Sequence, residues 1–304
     1  MSRVSEELLV QLPEVEECGW VSDLLTLTKA RLSFLVIVTT FVGYCMGSAG
    51  RLDWLELLHA TLGTALAAAS AAVLNQWMET HVDRLMERTR TRPLPAGRMA
   101  PRAALMLGLG LGAGGVLWLL ASTNWLSASL AAATIGIYLL LYTPLKRRTS
   151  ACTLVGAVSG ALPPVIGWTA AQGPAAGIGV GGWILFGILF TWQMPHFLAI
   201  AWMYRDEYAQ AGFVMLKRDD ASGCVTGFIS LIFALGLVGV SVAAHFVGMT
   251  GGAYLLGALL LNAAMLGLAV RFFLDRSRGT ARALFFGSIL FLPLLLGLMV
   301  FCKA

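Results

Sequence analysis

Residues 75–95 read NQWMETHVDRLMERTRTRPLP, and they lie between two long apolar runs. A glutamate, an aspartate and a cluster of arginines are concentrated here, in a chain that is 58% hydrophobic and only 12% charged. Soluble domains carry roughly 25% charged residues, about twice the share seen here, and the mean hydropathy is +0.79. A run of ~20 apolar residues is the length that crosses a ~30 Å hydrocarbon layer. Such runs fall near 32–50, 55–78, 103–121, 125–142, 151–171, 178–199, 223–247, 252–272 and 282–302. They predict an all-α polytopic membrane protein, a bundle of nine transmembrane helices forming one domain over 29–304. Residues 1–28 carry Glu6, Glu7, Glu14, Glu16, Glu17 and Asp23 without an apolar core, which reads as a cytosolic arm and not as a secretory signal.

Nine spans put the termini on opposite sides. Nineteen of the 21 lysines and arginines then fall on the side of the N-terminus, with Arg51 and Lys303 opposite. That asymmetry predicts a cytosolic N-terminus and explains the net charge of +5 without a nucleic-acid partner. The five cysteines show no close pairing, so neither a disulfide framework nor a structural zinc site is expected. The polar chemistry gathers at the cytosolic face.

Within the quoted stretch, Asn75, Glu79 and Asp83 are spaced i, i+4, i+8. On a helix they fan over only about 80° of one face, so their oxygens can converge. Two carboxylates suit Mg²⁺, which takes one or two of them together with substrate phosphates and water. The guanidinium groups that follow, Arg84, Arg88, Arg90, Arg92 and Arg98, suit the oxygens of a diphosphate. Arg90 is off the spacing of the others. Ionisable groups at the edge of a membrane bundle are expensive and mark function, whereas single arginines there also serve topology. The pattern predicts a site for a lipid diphosphate.

A second polar constellation follows helix 6, in TWQMPHFLAIAWMYRDEYAQAGFVML over 191–216. It brings His196, Tyr204, Arg205, Asp206, Glu207 and Tyr208 to the same face. A second acidic pair, Asp206 and Glu207, would allow a second metal opposite the first; the alternative is a solvated loop. Asp219 and Asp220 read as solvated loop charges. In YTPLKRRT, Tyr142 stands beside Lys146, Arg147 and Arg148, cations that either meet phosphate or hold the topology. Pro163 and Pro164 interrupt helix 5, either as a kink or as a substrate wall.

Taken together, these motifs resemble the UbiA-type intramembrane prenyltransferases and, within them, the protoheme IX farnesyltransferase (heme O synthase) branch. That branch shows Asn-x3-Glu-x3-Asp followed by Met-x-Arg-Thr-x-x-Arg-Pro-Leu, matched here by Asn75, Glu79, Asp83, Met86, Arg88, Thr89, Arg92, Pro93 and Leu94. The YTPLKRRT, GALPPVIGW and HF…YRDEY…G…ML stretches are similar as well. Quinone-type relatives have aspartate where this chain has Glu79. Glu207 departs from the aspartate also found in the second motif.

The resemblance implies transfer of a farnesyl group from farnesyl diphosphate to a vinyl group of heme b, with water addition, giving heme O. It implies Mg²⁺ on Glu79 and Asp83, helped by Asn75, and a second ion on Asp206 and Glu207. Arg88, Arg92, Lys146, Arg147 and Arg205 would take phosphate charge, and Tyr142, Trp192 or Tyr204 would face the allylic cation. His196 is the candidate for heme contact, with a structural hydrogen-bonding role as its alternative. His81, about 200° from Glu79 on a helix, His59 and His245 are expected to take no part. Expected partners are the bilayer of the cell inner membrane and, downstream, heme A synthase or terminal-oxidase assembly proteins. Two rival functions remain: prenylation of an aromatic quinone precursor, which Glu79 disfavours, and ion-coupled transport, which predicts charges near the midplane and an internal repeat.

Overall fold

The computed structural model describes residues 19–217 and 219–304. The expected arm at 1–28 falls mostly outside the described residues, as do Cys18 and Arg218. Eleven helices follow one another among the described residues: α1 (Trp20–Leu27), α2 (Ala30–Gly47), α3 (Trp54–Asp83), α4 (Pro101–Ser122), α5 (Trp125–Leu145), α6 (Cys152–Gln172), α7 (Gly179–Met203), α8 (Arg205–Gln210), α9 (Cys224–Phe246), α10 (Gly252–Asp275) and α11 (Arg278–Phe301). The nine expected helices are all present. Eight are long and apolar enough to cross a membrane, and the first contributes a shorter apolar stretch, Ser33–Gly47. Apolar side chains such as Leu140, Leu256, Leu260, Leu290 and Phe301 stay exposed on the outside, as lipid contact requires.

α3 is the element that positions the polar stretch. Asp53 caps it by accepting from Leu55 N and Glu56 N, and it then runs for 30 residues, about 45 Å at 1.5 Å per residue. That exceeds a ~30 Å hydrocarbon layer, so the last turns, with Glu79 and Asp83, reach the interface. α3 packs along α4, and α2 along α6. The α2–α6 crossing needs glycine: a Cβ on Gly43 would fall on the Pro164 carbonyl oxygen, and one on Gly167 on that of Thr40. Small residues at a membrane crossing let two backbones approach closely.

Two irregularities face the interior. α6 is broken at Leu162, with Pro163 opening its second half, because proline lacks the N–H that would continue the ladder. α5 holds a π-helical turn over Ile137–Tyr142, in which Tyr138 and Tyr142 lie with ring centroids 5.1 Å apart. The hydrophobic core of the second half gathers Leu185, Ile188, Trp192, Leu237, Leu284 and Leu292 from α7, α9 and α11.

α1 is docked rather than free. Arg98 holds Asp23 at 2.7 Å, and the Gln76 side-chain amide donates to the carbonyls of Thr26 and Leu27.

Candidate active site

A cavity of about 470 Å³ opens between α2, α3, α5, α6 and α7. Its polar end is the C-terminal end of α3. Asn75, Glu79 and Asp83 all line it and are 1%, 8% and 3% exposed, as the spacing predicts. Three near-buried polar groups on one face are satisfied by one another and by cations. Asn75 Nδ2 donates to Glu79 Oε2 at 2.9 Å and to Thr143 Oγ1 at 3.2 Å. Lys29 Nζ donates to Asn75 Oδ1 at 3.1 Å. Lys146 Nζ lies 3.0 Å from both oxygens of Glu79, and Arg92 Nη1 lies 2.8 Å from Asp83 Oδ2.

Local chain geometry holds these partners. After α3 the chain turns, and Thr89 Oγ1 donates to the Asp83 carbonyl at 2.9 Å, which brings Arg92 back onto the Asp83 side chain. Lys146 sits just past the end of α5, 4.6 Å above the Tyr142 ring, and its own carbonyl accepts from Val214 N at 2.7 Å. Burial by itself disfavours its ammonium. The Tyr142 hydroxyl and the Glu79 carboxylate beside it more than offset that and hold its pKa above the ordinary lysine value.

The donor set fits a magnesium ion shared with substrate. Glu79 and Asp83 are hard oxygen donors one turn apart, and no cluster of three or more His, Cys, Asp or Glu residues occurs among the described residues. Two carboxylates without an all-protein cage is the complement Mg²⁺ takes when phosphates and water complete its shell. Lys146 and Arg92 are paired with these same two carboxylates.

Other expected residues are placed differently. Arg88 is at the rim, lining the cavity with its guanidinium 5.8 Å from the Tyr204 ring centroid. Arg147 is exposed and does not line the cavity. Asp206 and Glu207 are not brought to Glu79: both are exposed, and the Asp206 side chain retains 86% of its surface. The cause is local. α7 ends at Tyr204, with φ −112° and ψ 21°, and the short α8 turns Tyr208 toward the cavity. Asp206, two residues earlier and about 200° round the helix, then points outward, and Arg205 stacks on Trp202 at 4.4 Å.

His196 takes the structural alternative. It is stacked between Trp192 and Phe285, with centroids 5.1 and 5.0 Å away, and its Nδ1 is 2.7 Å from Ser288 Oγ. Trp192 is buried in the same layer, donating to the Ser288 carbonyl, so it does not face the cavity. Asp220 corrects the loop reading: it is 6% exposed and caps α9, accepting from Val225 N, Thr226 N and Thr226 Oγ1. Asp219 is exposed, as expected. His81 is exposed, Arg90 keeps only a 3.8 Å contact with Glu87, and Cys45, Cys152, Cys224 and Cys302 are free thiols.

Lys29, Tyr138, Thr143 and Gln193 were not anticipated. Lys29 stands at φ 49° between α1 and α2, a left-handed conformation rare for a side-chain-bearing residue, and from there it reaches Asn75. A lysine ahead of an apolar run reads as a topology charge, so sequence alone gives it no special weight.

Comparison with known proteins identifies the family. The UbiA prenyltransferase family matches residues 36–295. The chain belongs to that family. It is 44% identical to the protoheme IX farnesyltransferase of Solibacter usitatus, over 91% of this chain and 97% of that protein. It is 39% identical to the human mitochondrial protein of the same name, over 91% of this chain and 61% of that one. Among solved UbiA-type folds, a digeranylgeranylglyceryl phosphate synthase superposes with a TM-score of 0.79 at 14% identity, covering 93% of this chain and 98% of that one. A UbiA homolog from Archaeoglobus fulgidus, solved with DMAPP and Mg²⁺, gives a TM-score of 0.64 at 14% identity, covering 91% and 99%. At such identities these structures share the fold, and the family membership rests on the sequence matches.

Proposed function

We propose that the protein transfers the farnesyl group of farnesyl diphosphate to a vinyl group of heme b, with addition of water, giving heme O. The observation that carries this reading is the Asn75–Glu79–Asp83 face, paired with Lys29, Lys146 and Arg92, at the head of a largely apolar cavity in a membrane bundle. The 44% identity to a protoheme IX farnesyltransferase over nearly the whole chain supports heme as the acceptor. The paired charges at one end of the cavity, where the acidic lining residues are Glu79 and Asp83, fit a diphosphate site better than an ion pathway.

Glu79 and Asp83 would hold a magnesium ion, which supplies Lewis acidity for the departing diphosphate. Lys146 and Arg92 are positioned to pass from their carboxylates to phosphate oxygens as substrate enters, and Arg88 and Lys29 stand at the same end. These cations counter the charge that grows on the leaving oxygen as the allylic C–O bond breaks. Tyr138 and Tyr142 line the cavity beside Lys146, where a ring quadrupole would favour an allylic cation. Alanines of α3 and α5 and Ile166 of α6 wall the rest of the cavity and keep water from the cation. The terminal vinyl carbon then forms the new C–C bond, and the cation left beside the porphyrin takes up water. No protein nucleophile is required.

The charge asymmetry supports an orientation with the cavity mouth toward the cytosol, in the cytoplasmic membrane, from which heme O passes to oxidase assembly or heme A synthesis. Incubation of purified protein with heme b, farnesyl diphosphate and Mg²⁺, followed by mass analysis of the pigments, tests the reading. A heme heavier by farnesyl plus water is expected; prenylation of an aromatic acid in its place would move the protein to another branch of the family.

A further inference from the structure

Resting on the heme-farnesylating reading, the cavity contains a polar feature that transfer alone does not use. Gln193 of α7 lines the cavity at 4% exposure. Its Nε2 donates to the Leu189 carbonyl at 3.0 Å and the Ala157 carbonyl at 3.4 Å, which fixes the amide's orientation. Its Oε1 accepts no hydrogen bond among the described residues. That oxygen stays open to the cavity, where water or ligand can complete its hydrogen bonding.

Its depth is defined by two glycines of α6. A Cβ on Gly156 would lie 2.9 Å from the Tyr142 ring, the ring under Lys146. A Cβ on Gly160, one turn or about 6 Å further from the cytosolic end, would collide with Gln193 Oε1. The amide oxygen therefore sits about one helical turn below the Tyr142 ring and the Lys146 ammonium over it. Ser159, 3% exposed, is on the same wall, with its hydroxyl turned to the Gly156 carbonyl.

We propose that Gln193 holds the water that becomes the hydroxyl group of the product. Once the farnesyl carbon has bonded to the terminal vinyl carbon, the positive charge rests on the carbon attached to the porphyrin. The water oxygen forms a C–O bond there while Oε1 accepts a hydrogen bond from the O–H that the product keeps, which aims the oxygen lone pair. The remaining proton passes to the released diphosphate, which balances the overall reaction of heme, farnesyl diphosphate and water. Without an oriented water, the same cation loses a proton from the neighbouring carbon and yields an alkene lighter by one water.

The test is product composition, which a purely structural role for Gln193 would not move. Wild type, Gln193→Leu and Gly160→Ala are each turned over with heme b, farnesyl diphosphate and Mg²⁺, and the adducts are weighed. Gly160→Ala displaces the amide without removing it. Each variant is expected to raise the ratio of dehydrated to hydroxylated adduct roughly tenfold, the worth of one ordinary hydrogen bond. A wild-type ratio in either active variant overturns the proposal. Loss of all adduct in both overturns it too, because Gln193 would then serve transfer or folding. Unmodified heme from the wild type would instead count against the farnesyl-transfer reading.

Discussion

Replacing Lys146 with methionine removes the ammonium that lies 3.0 Å from both oxygens of Glu79 and stands beside the expected diphosphate. Two unit charges 4 Å apart interact by about 4 kcal/mol at an effective dielectric constant of 20. Lys146 is already paired with Glu79 before substrate arrives, so only the difference between carboxylate and diphosphate partners counts. Taking about half of the interaction gives ~2 kcal/mol, or roughly 30-fold in kcat/KM. Because charge builds on the leaving oxygen during the step, most of the loss should fall in kcat. The assay follows adduct formation in detergent at varied farnesyl diphosphate, with thermal unfolding as a check on the fold. Lys146→Arg should recover part of the rate, since the charge is retained. A folded Lys146→Met enzyme within about threefold of wild type in kcat/KM would refute the assignment of Lys146 to the leaving group.

Other outcomes follow from the same contacts. Asp83→Asn strips Arg92 of its carboxylate; with that guanidinium still 23% exposed, unfolding free energy should fall by about 1–2 kcal/mol, and turnover at least tenfold, read by denaturant titration and adduct formation. Gly156→Ala forces the Tyr142 ring, and with it Lys146, to shift; a roughly tenfold slower turnover is expected, with little change in melting temperature. The raised pKa of Lys146 sets a pH window. Its pairing with Glu79 stabilises the fold fully below the ordinary lysine value of 10.5 and is lost as pH rises through the higher folded value. The melting temperatures of wild type and Lys146→Met should therefore differ steadily from pH 6 to 9.

The features that could be read in the sequence were those set by periodicity. Apolar run lengths fixed the spans, and the i, i+4, i+8 spacing put Asn75, Glu79 and Asp83 on one face of α3. The misplaced residues lie where the chain departs from a regular helix or where two helices meet. Asp206 and Glu207 follow the break at Tyr204, whose dihedral angles no spacing rule supplies. His196 stands four residues after Trp192, and only the position of Ser288 on α11 shows that this stripe faces the core. Asp220 looked solvated because its bonds to Val225 N and Thr226 N depend on where α9 starts. Lys29 reaches Asn75 through a left-handed turn, and the π-helical turn of α5 that carries Tyr138 and Tyr142 has no sequence periodicity of its own.

The central claim is most directly tested by a single-turnover incubation of the purified protein with heme b, farnesyl diphosphate and Mg²⁺, beside Glu79→Gln and Asp83→Asn, with the pigments separated and weighed. The account predicts a heme gaining farnesyl and water in the wild type, and no adduct in either variant despite intact folding. Heme b returned unchanged by a folded wild type, or full adduct formation by both variants, would contradict it.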